Sequence, residues 1–213
     1  VTSFFRDPQA FDTLKGAVVE LLRERPDDHK LRAWVPGCAT GEEAYSVAIT
    51  LTEAMEEAGK HLDVQVFGTD LDGQAIEVAR HGIYADGAKA DVSAERLARW
   101  FVSEDSSQRV RKELREMIVF APQNVTKDPP FTKLDLIACR NVLIYMDTDL
   151  QKSLLPVFHY ALRPSGLLFL GPSESLGGMG ELFEVVDSRH KVFRRKETAS
   201  GIHAVLPAGG RKE

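Results

Sequence analysis

The chain has 213 residues, is 43% hydrophobic and 28% charged, and carries a formal net charge of −5. That length holds one full hydrophobic core, and the composition is ordinary for a globular domain. The acidic balance argues against a phosphate-backbone binder, and no apolar run is long enough to span a bilayer, so neither nucleic acid nor membrane insertion is expected.

In chain order, residues 31–35 (LRAWV) read as a strand ending at Pro36-Gly37. From residue 42 to 57, Tyr45, Ala48, Ile49 and Met55 follow helical spacing and make one apolar face. Residues 64–68 (VQVFG) form a second strand, closed by Thr69-Asp70-Leu71-Asp72. Asp72 is placed to cap a helix running through Ala75, Ile76, Val78 and Ala79. Residues 92–116 break the alternation with dense charge and are expected to form a small inserted subdomain. Three more strands follow at residues 117–121, 134–139 and 167–170, the last after the turn Pro164-Ser165-Gly166. Residues 183–186 and 191–194 pair as a closing hairpin.

Strand-helix alternation predicts an α/β fold, with a mostly parallel sheet covered by helices and an antiparallel hairpin at its edge. Residues 1–196 then make one domain, and residues 197–213, rich in Gly, Ala and charge, a linker or tail. The first residue already stands inside a motif, so the chain reads as a piece of a longer protein carrying other domains. Cys38 and Cys139 form neither a disulfide framework nor a zinc spacing, and the six histidines are scattered. A reducing, cytoplasmic setting without a metal is expected.

In open parallel sheets ligands sit beyond the carboxyl ends of the strands. The first strand ends in Pro36-Gly37-Cys38-Ala39-Thr40-Gly41-Glu42-Glu43, which is neither a Walker A loop nor GxGxxG. Two carboxylates at the next helix start would repel a pyrophosphate but suit a ligand with an ammonium and a sulfonium. Asp70, ending the second strand, is placed to accept from both hydroxyls of a ribose. Together the Gly37 turn, the acidic helix start and Asp70 point to S-adenosylmethionine (SAM). Each element alone has a plain structural alternative: a glycine turn, an acidic first turn, an N-cap.

Asp128-Pro129-Pro130-Phe131 looks like the (D/N)PP(Y/F) signature of methyltransferases acting on exocyclic amines of DNA bases. It stands before the strand at residues 134–139, at the wrong end for a strand-end site. A Pro-Pro turn with Phe131 packed underneath is the better reading. Arg140, Asn141 and Tyr145 follow that strand and can project into the cleft.

Four stretches now carry a resemblance: TSFFRD at residues 2–7, GCATGEEAYS at 37–46, GTDLD at 68–72 and CRNVLIY at 139–145. In this order they resemble the CheR chemotaxis-receptor methyltransferases, from Val1 to about Lys196. Residues 120–124 and 155–160 look closest to members fused to a CheB-type methylesterase. The resemblance implies a class I, Rossmann-like methyltransferase that esterifies glutamates on a receptor's cytoplasmic helix, leaving S-adenosylhomocysteine (SAH). By motif, Thr2, Arg6, Glu42, Asp70, Asn124, Val125, Arg140 and Asn141 would line the cofactor pocket. Arg6 and Tyr145 would stand near the transferred methyl as the catalytic pair. The family's N-terminal helical domain is not included, and the turn at residues 104–108 is short and has no glycine.

Such chemistry asks for alignment and desolvation rather than a general base, because glutamate is ionised at neutral pH. Arg6 would grip either the acceptor's carboxylate or the cofactor's. Two other readings stand beside this one: a non-catalytic SAM- or SAH-binding regulatory module, and a nucleic-acid methyltransferase.

Overall fold

The computed structural model describes residues 2–197, so the tail expected at residues 197–213 lies almost wholly outside the described residues. Ten strands are present: β1 (Lys30–Pro36), β2 (Asp63–Asp70), β3 (Ile83–Ala85), β4 (Phe101–Glu104), β5 (Ser107–Val110), β6 (Ile118–Pro122), β7 (Leu134–Cys139), β8 (Leu162–Leu170), β9 (Phe183–Asp187) and β10 (Val192–Arg195). The α-helices are α1 (Pro8–Arg23), α2 (Glu42–Ala58), α3 (Gly73–His81), α4 (Ala94–Trp100), α5 (Lys112–Arg115) and α6 (Thr148–Ala161).

Seven strands form one sheet in the order β6-β2-β1-β7-β8-β10-β9. The first five are mutually parallel, and β10 runs antiparallel between β8 and β9. The closing hairpin therefore tucks its second strand inside and leaves β9 at the edge. From β1 the chain winds outward to β2 and β6, then returns past β1 to β7. That reversal puts a switch-point crevice at the carboxyl ends of β1 and β7.

Helix α1, to which the sequence reading assigns no element, starts with Pro8 in its first turn and buries Phe11, Leu14, Val18 and Leu22. This i, i+3, i+7, i+11 stripe is buried as α1 packs on α2 and β8, with Phe11 edge-on to Phe169; full burial contributes about 1.5–3 kcal/mol for each large apolar side chain. Because α1 covers its outer side, α2 is buried continuously from Ala44 to Thr52, not on the single face expected. Gly59, at φ 67°, ends α2: the amides of Gly59 and Lys60 close back on the carbonyls of Glu56 and Met55. Asp72 caps α3 as expected, accepting from the amides of Gln74 and Ala75.

Strand β8 differs from expectation. It begins at Leu162 and runs through the anticipated turn, accommodating it with Ser165 at φ 63° and a register shift against Leu134 and Leu136. The DPPF segment is irregular chain leading into β7, with the turn falling just before it at residues 125–127, and Phe131 stacks on Phe67 (4.1 Å between centroids, 12° between planes) and meets Trp34 edge-on.

A second sheet, β3-β5-β4, forms the small subdomain and recruits Ile83–Ala85 from upstream of residue 92. Pairing with β5 draws β3 into that unit. Phe4 ties the subdomain to the chain's start, lying edge-on to Tyr84 (4.9 Å) and Phe101 (5.3 Å). No described helix is long and apolar enough to cross a membrane.

Candidate active site

A cleft of about 550 Å³ opens where β1, β2, β6 and β7 end, within the size range of small-molecule sites. Its floor is the turn after β1. Gly37 sits at φ 70°, and a Cβ there would lie 2.4 Å from a Val142 methyl, so only glycine allows the two strand-end turns to meet. Asp70 braces this turn: one carboxylate oxygen accepts from the Ala39 amide (2.8 Å), the other from the Asp72 amide (2.9 Å). Each oxygen keeps a second acceptor site, so Asp70, which lines the cleft, can still receive two hydroxyls.

The acidic helix start divides its two carboxylates. Glu42, expected in the pocket, is not among the lining residues; its carboxylate accepts from the Thr40 hydroxyl at 2.6 Å. Glu43 lines the cleft instead, because Gly41 enters α2 at φ 98° and that phase turns Glu43 inward. Its side chain, 12% exposed, lies 3.3 Å from the Arg140 guanidinium. Burial pushes the Glu43 carboxyl above the usual carboxylate range, partly offset by the charges of Arg140 and Arg6.

Arg140 is a strut. One guanidinium nitrogen donates to the Arg6 carbonyl at 2.8 Å and to Glu43, while the group packs over Phe169 (4.5 Å) and Phe11 (5.1 Å). The chain around Arg6 is held tightly. Phe5 and Asp7 both take positive φ (45° and 64°), Phe4 and Phe5 are buried, and the Phe5 amide donates to Ser46 Oγ. Two large side chains locked in the core hold this left-handed backbone and present an exposed Arg6 to the cleft.

The far wall is the segment after β6. The Gln123 amide donates to the Asp70 carbonyl, and Asn124 Oδ1 accepts from the Thr126 amide and hydroxyl. Asp128 accepts from the Asn124 amide, so the acid of the DPPF segment braces this loop. Above it, Asn141 (φ 58°) turns the chain after β7 toward Tyr145, which is 85% exposed at the rim.

The fold thus gathers Thr2, Arg6, Gly37, Asp70, Asn124, Val125, Arg140, Asn141 and Tyr145 around one cleft, with Glu42 the exception. Sequence spacing also passes over Leu71 and Met146, apolar lining for a flat ring. Two carboxylates, Glu43 and Asp70, beside apolar walls fit a nucleoside with a cationic tail and oppose a polyphosphate. Burial pushes both the Cys38 and Cys139 thiols far up, which leaves neither as a nucleophile. Among the described residues no group of His, Cys, Asp and Glu is arranged for a metal ion.

Comparison with known proteins agrees with this geometry. Residues 1–192 match the family described as CheR methyltransferase, SAM binding domain. The chain is 42% identical over 195 residues to an uncharacterized 104.1 kDa protein of Rhodobacter capsulatus, covering 91% of this chain and 20% of that one. It is 31% identical over 205 residues to the putative methyltransferase Cher3 of Pseudomonas putida (92% and 72% covered). With the chemotaxis protein methyltransferase of Escherichia coli it shares 35% identity over 192 residues (86% and 63% covered). The chain therefore spans one-fifth of the Rhodobacter relative and under two-thirds of the Escherichia coli one. With the family matched across nearly its whole length and an acid-lined cleft at the switch point of its sheet, the chain belongs to the CheR methyltransferase family, and its cofactor is SAM.

Proposed function

We propose that the protein transfers a methyl group from SAM to glutamate carboxylates on the cytoplasmic helix of a chemoreceptor or related signalling protein, forming glutamyl methyl esters and SAH. The observation that carries this reading is Tyr145, a large aromatic 85% exposed at the rim of an acid-lined cleft. Leu71 and Ile144 are also strongly exposed (73% and 45%), and such a rim gains from being covered by a partner.

When bound, SAM supplies an electrophilic methyl on a sulfonium whose leaving group is a neutral thioether. An acceptor glutamate is already ionised at neutral pH, so its oxygen forms the new bond to carbon with no proton to remove. The lining suits that economy: none of the described cleft residues is a histidine. The chain's own work is alignment and the exclusion of water. Glu43 favours an ammonium, Asp70 a ribose, and Arg6 offers a planar two-pronged grip on a carboxylate. Tyr145 offers a ring face to a cation and a hydroxyl to the acceptor.

The test is incubation of the full-length protein with methyl-labelled SAM and candidate receptors. Alkali-labile label on receptor protein is expected. Base-stable label on nucleic acid, or cofactor binding without any turnover, overturns the reading. Tyr145→Phe is expected to lower turnover roughly tenfold, about 1.4 kcal/mol of barrier, with a smaller change in cofactor affinity. Equal losses would make Tyr145 a wall of the pocket instead.

A further inference from the structure

Beyond β8 the chain folds back beside the turn that carries Tyr145. Glu174 sits there, 4% exposed and outside the cleft lining. Its carboxylate accepts three backbone amides: Oε1 from Val142 and Leu143, both at 2.8 Å, and Oε2 from Gly171 at 2.6 Å. The Glu174 amide in turn donates to the Gly171 carbonyl, closing a tight loop that aims the carboxylate back toward β7.

The amides it takes are those with the least local support. Leu143–Tyr145 is a single 3-10 turn, whose first amides have no partner inside it. One turn does not hold itself in water. Asn141, immediately before, is in the left-handed region. The course from Asn141 to Tyr145 thus leans on an anchor from the loop after β8, alongside Gln151, whose side-chain amide donates to the Leu143 and Met146 carbonyls. Gly171 makes the approach possible: a Cβ there would lie 2.9 Å from Glu174 Oε2 and 3.0 Å from the Asn141 amide. An ionised carboxylate, acceptor on both oxygens, matches three donors, whereas a glutamine would oppose one N–H with its own NH₂.

We propose that Glu174 is a positioning residue for methyl transfer: it clamps the turn after β7 and so sets Tyr145 against the reacting groups, without touching cofactor or acceptor. The inference rests on the methyl-transfer reading above. It is tested in the full-length protein with Glu174→Gln, Tyr145→Phe and the double variant.

With Glu174→Gln, amide hydrogen exchange across residues 141–146 should quicken while β1 and β2 stay as protected as in the wild type. SAH affinity by calorimetry should change by less than about threefold, while kcat falls roughly tenfold. In the Tyr145→Phe background the same change should cost at most about twofold, because the two act through one position. Unchanged exchange at residues 141–146, equal losses of affinity and kcat, fully additive losses, or Tyr145→Phe at the wild-type rate would each overturn the proposal. If Glu174→Gln does not fold, Glu174→Asp keeps the charge one methylene short and is read the same way. A wild-type protein that methylates nothing sinks the methyl-transfer reading itself, and exchange and affinity still report on the clamp.

Discussion

Strand β7 has a buried charge at each end, and the two ends differ in what surrounds them. At its start Asp135 is fully buried. Both its oxygens lie 2.9 Å from His29 Nε2, one accepts the Arg32 amide at 3.0 Å, and Arg25 stands 3.4 Å away. Past its end Arg140 is also buried, held by the Arg6 carbonyl and Glu43. The lower cluster is closed upon itself and ties the segment before β1 to β7. The upper one faces a cleft, and its members Glu43 and Arg6 line it. A buried ion pair alone says little about function; beside a cavity at the strand ends it sets charge where a ligand can meet it.

The largest expected effect breaks the lower end. Asp135→Ala should cost about 3–5 kcal/mol of stability in urea, since it strands His29, Arg25 and the Arg32 amide without their acceptor. Protein that remains folded should bind SAM as the wild type does. Lost affinity at unchanged stability would erase the distinction between the two ends.

Next comes the upper end. Asp70→Ala should weaken SAM and SAH by about 1–3 kcal/mol in calorimetry, and nucleoside triphosphates should compete poorly. Unchanged affinity in a folded variant would remove Asp70 from the site, and tight triphosphate binding would overturn the ligand fit.

The smallest effect concerns pH and sharpens the comparison. Burial raises the Glu43 carboxyl, so protonation as pH falls through that raised range removes a charge facing the ligand's ammonium. SAM affinity should drop as pH falls, by no more than about tenfold in Kd, or 1.4 kcal/mol, and Glu43→Gln should flatten the profile. Stability runs the other way. A carboxyl whose folded pKa is raised favours the folded state below its ordinary pKa, and that contribution is lost as pH rises through the folded value. A pH-independent affinity in the wild type would place the ammonium away from Glu43.

Much of this protein is written locally. The alternating strands, the Asp72 cap and the Pro129-Pro130 break before β7 follow from period, side-chain capping and fixed φ, each decided within a few residues. Helix α1 had the same kind of signal, with Pro8 at its start and the stripe of Phe11, Leu14, Val18 and Leu22. Most of the residues that line the cleft were legible because strand ends of a parallel sheet converge, so motifs far apart in the chain meet at one edge. What only the tertiary structure decided is direction and support. Glu42 and Glu43 are neighbours on a helix and point about 100° apart, and no spacing tells which one enters the cleft; the angle set by Gly41 does. Glu174 lies more than 30 residues from two of the three amides it holds, those of Val142 and Leu143, and β3 joins a sheet whose other strands follow residue 100. Contacts of that range leave no periodic trace, because they depend on where two segments come to rest once the core has packed.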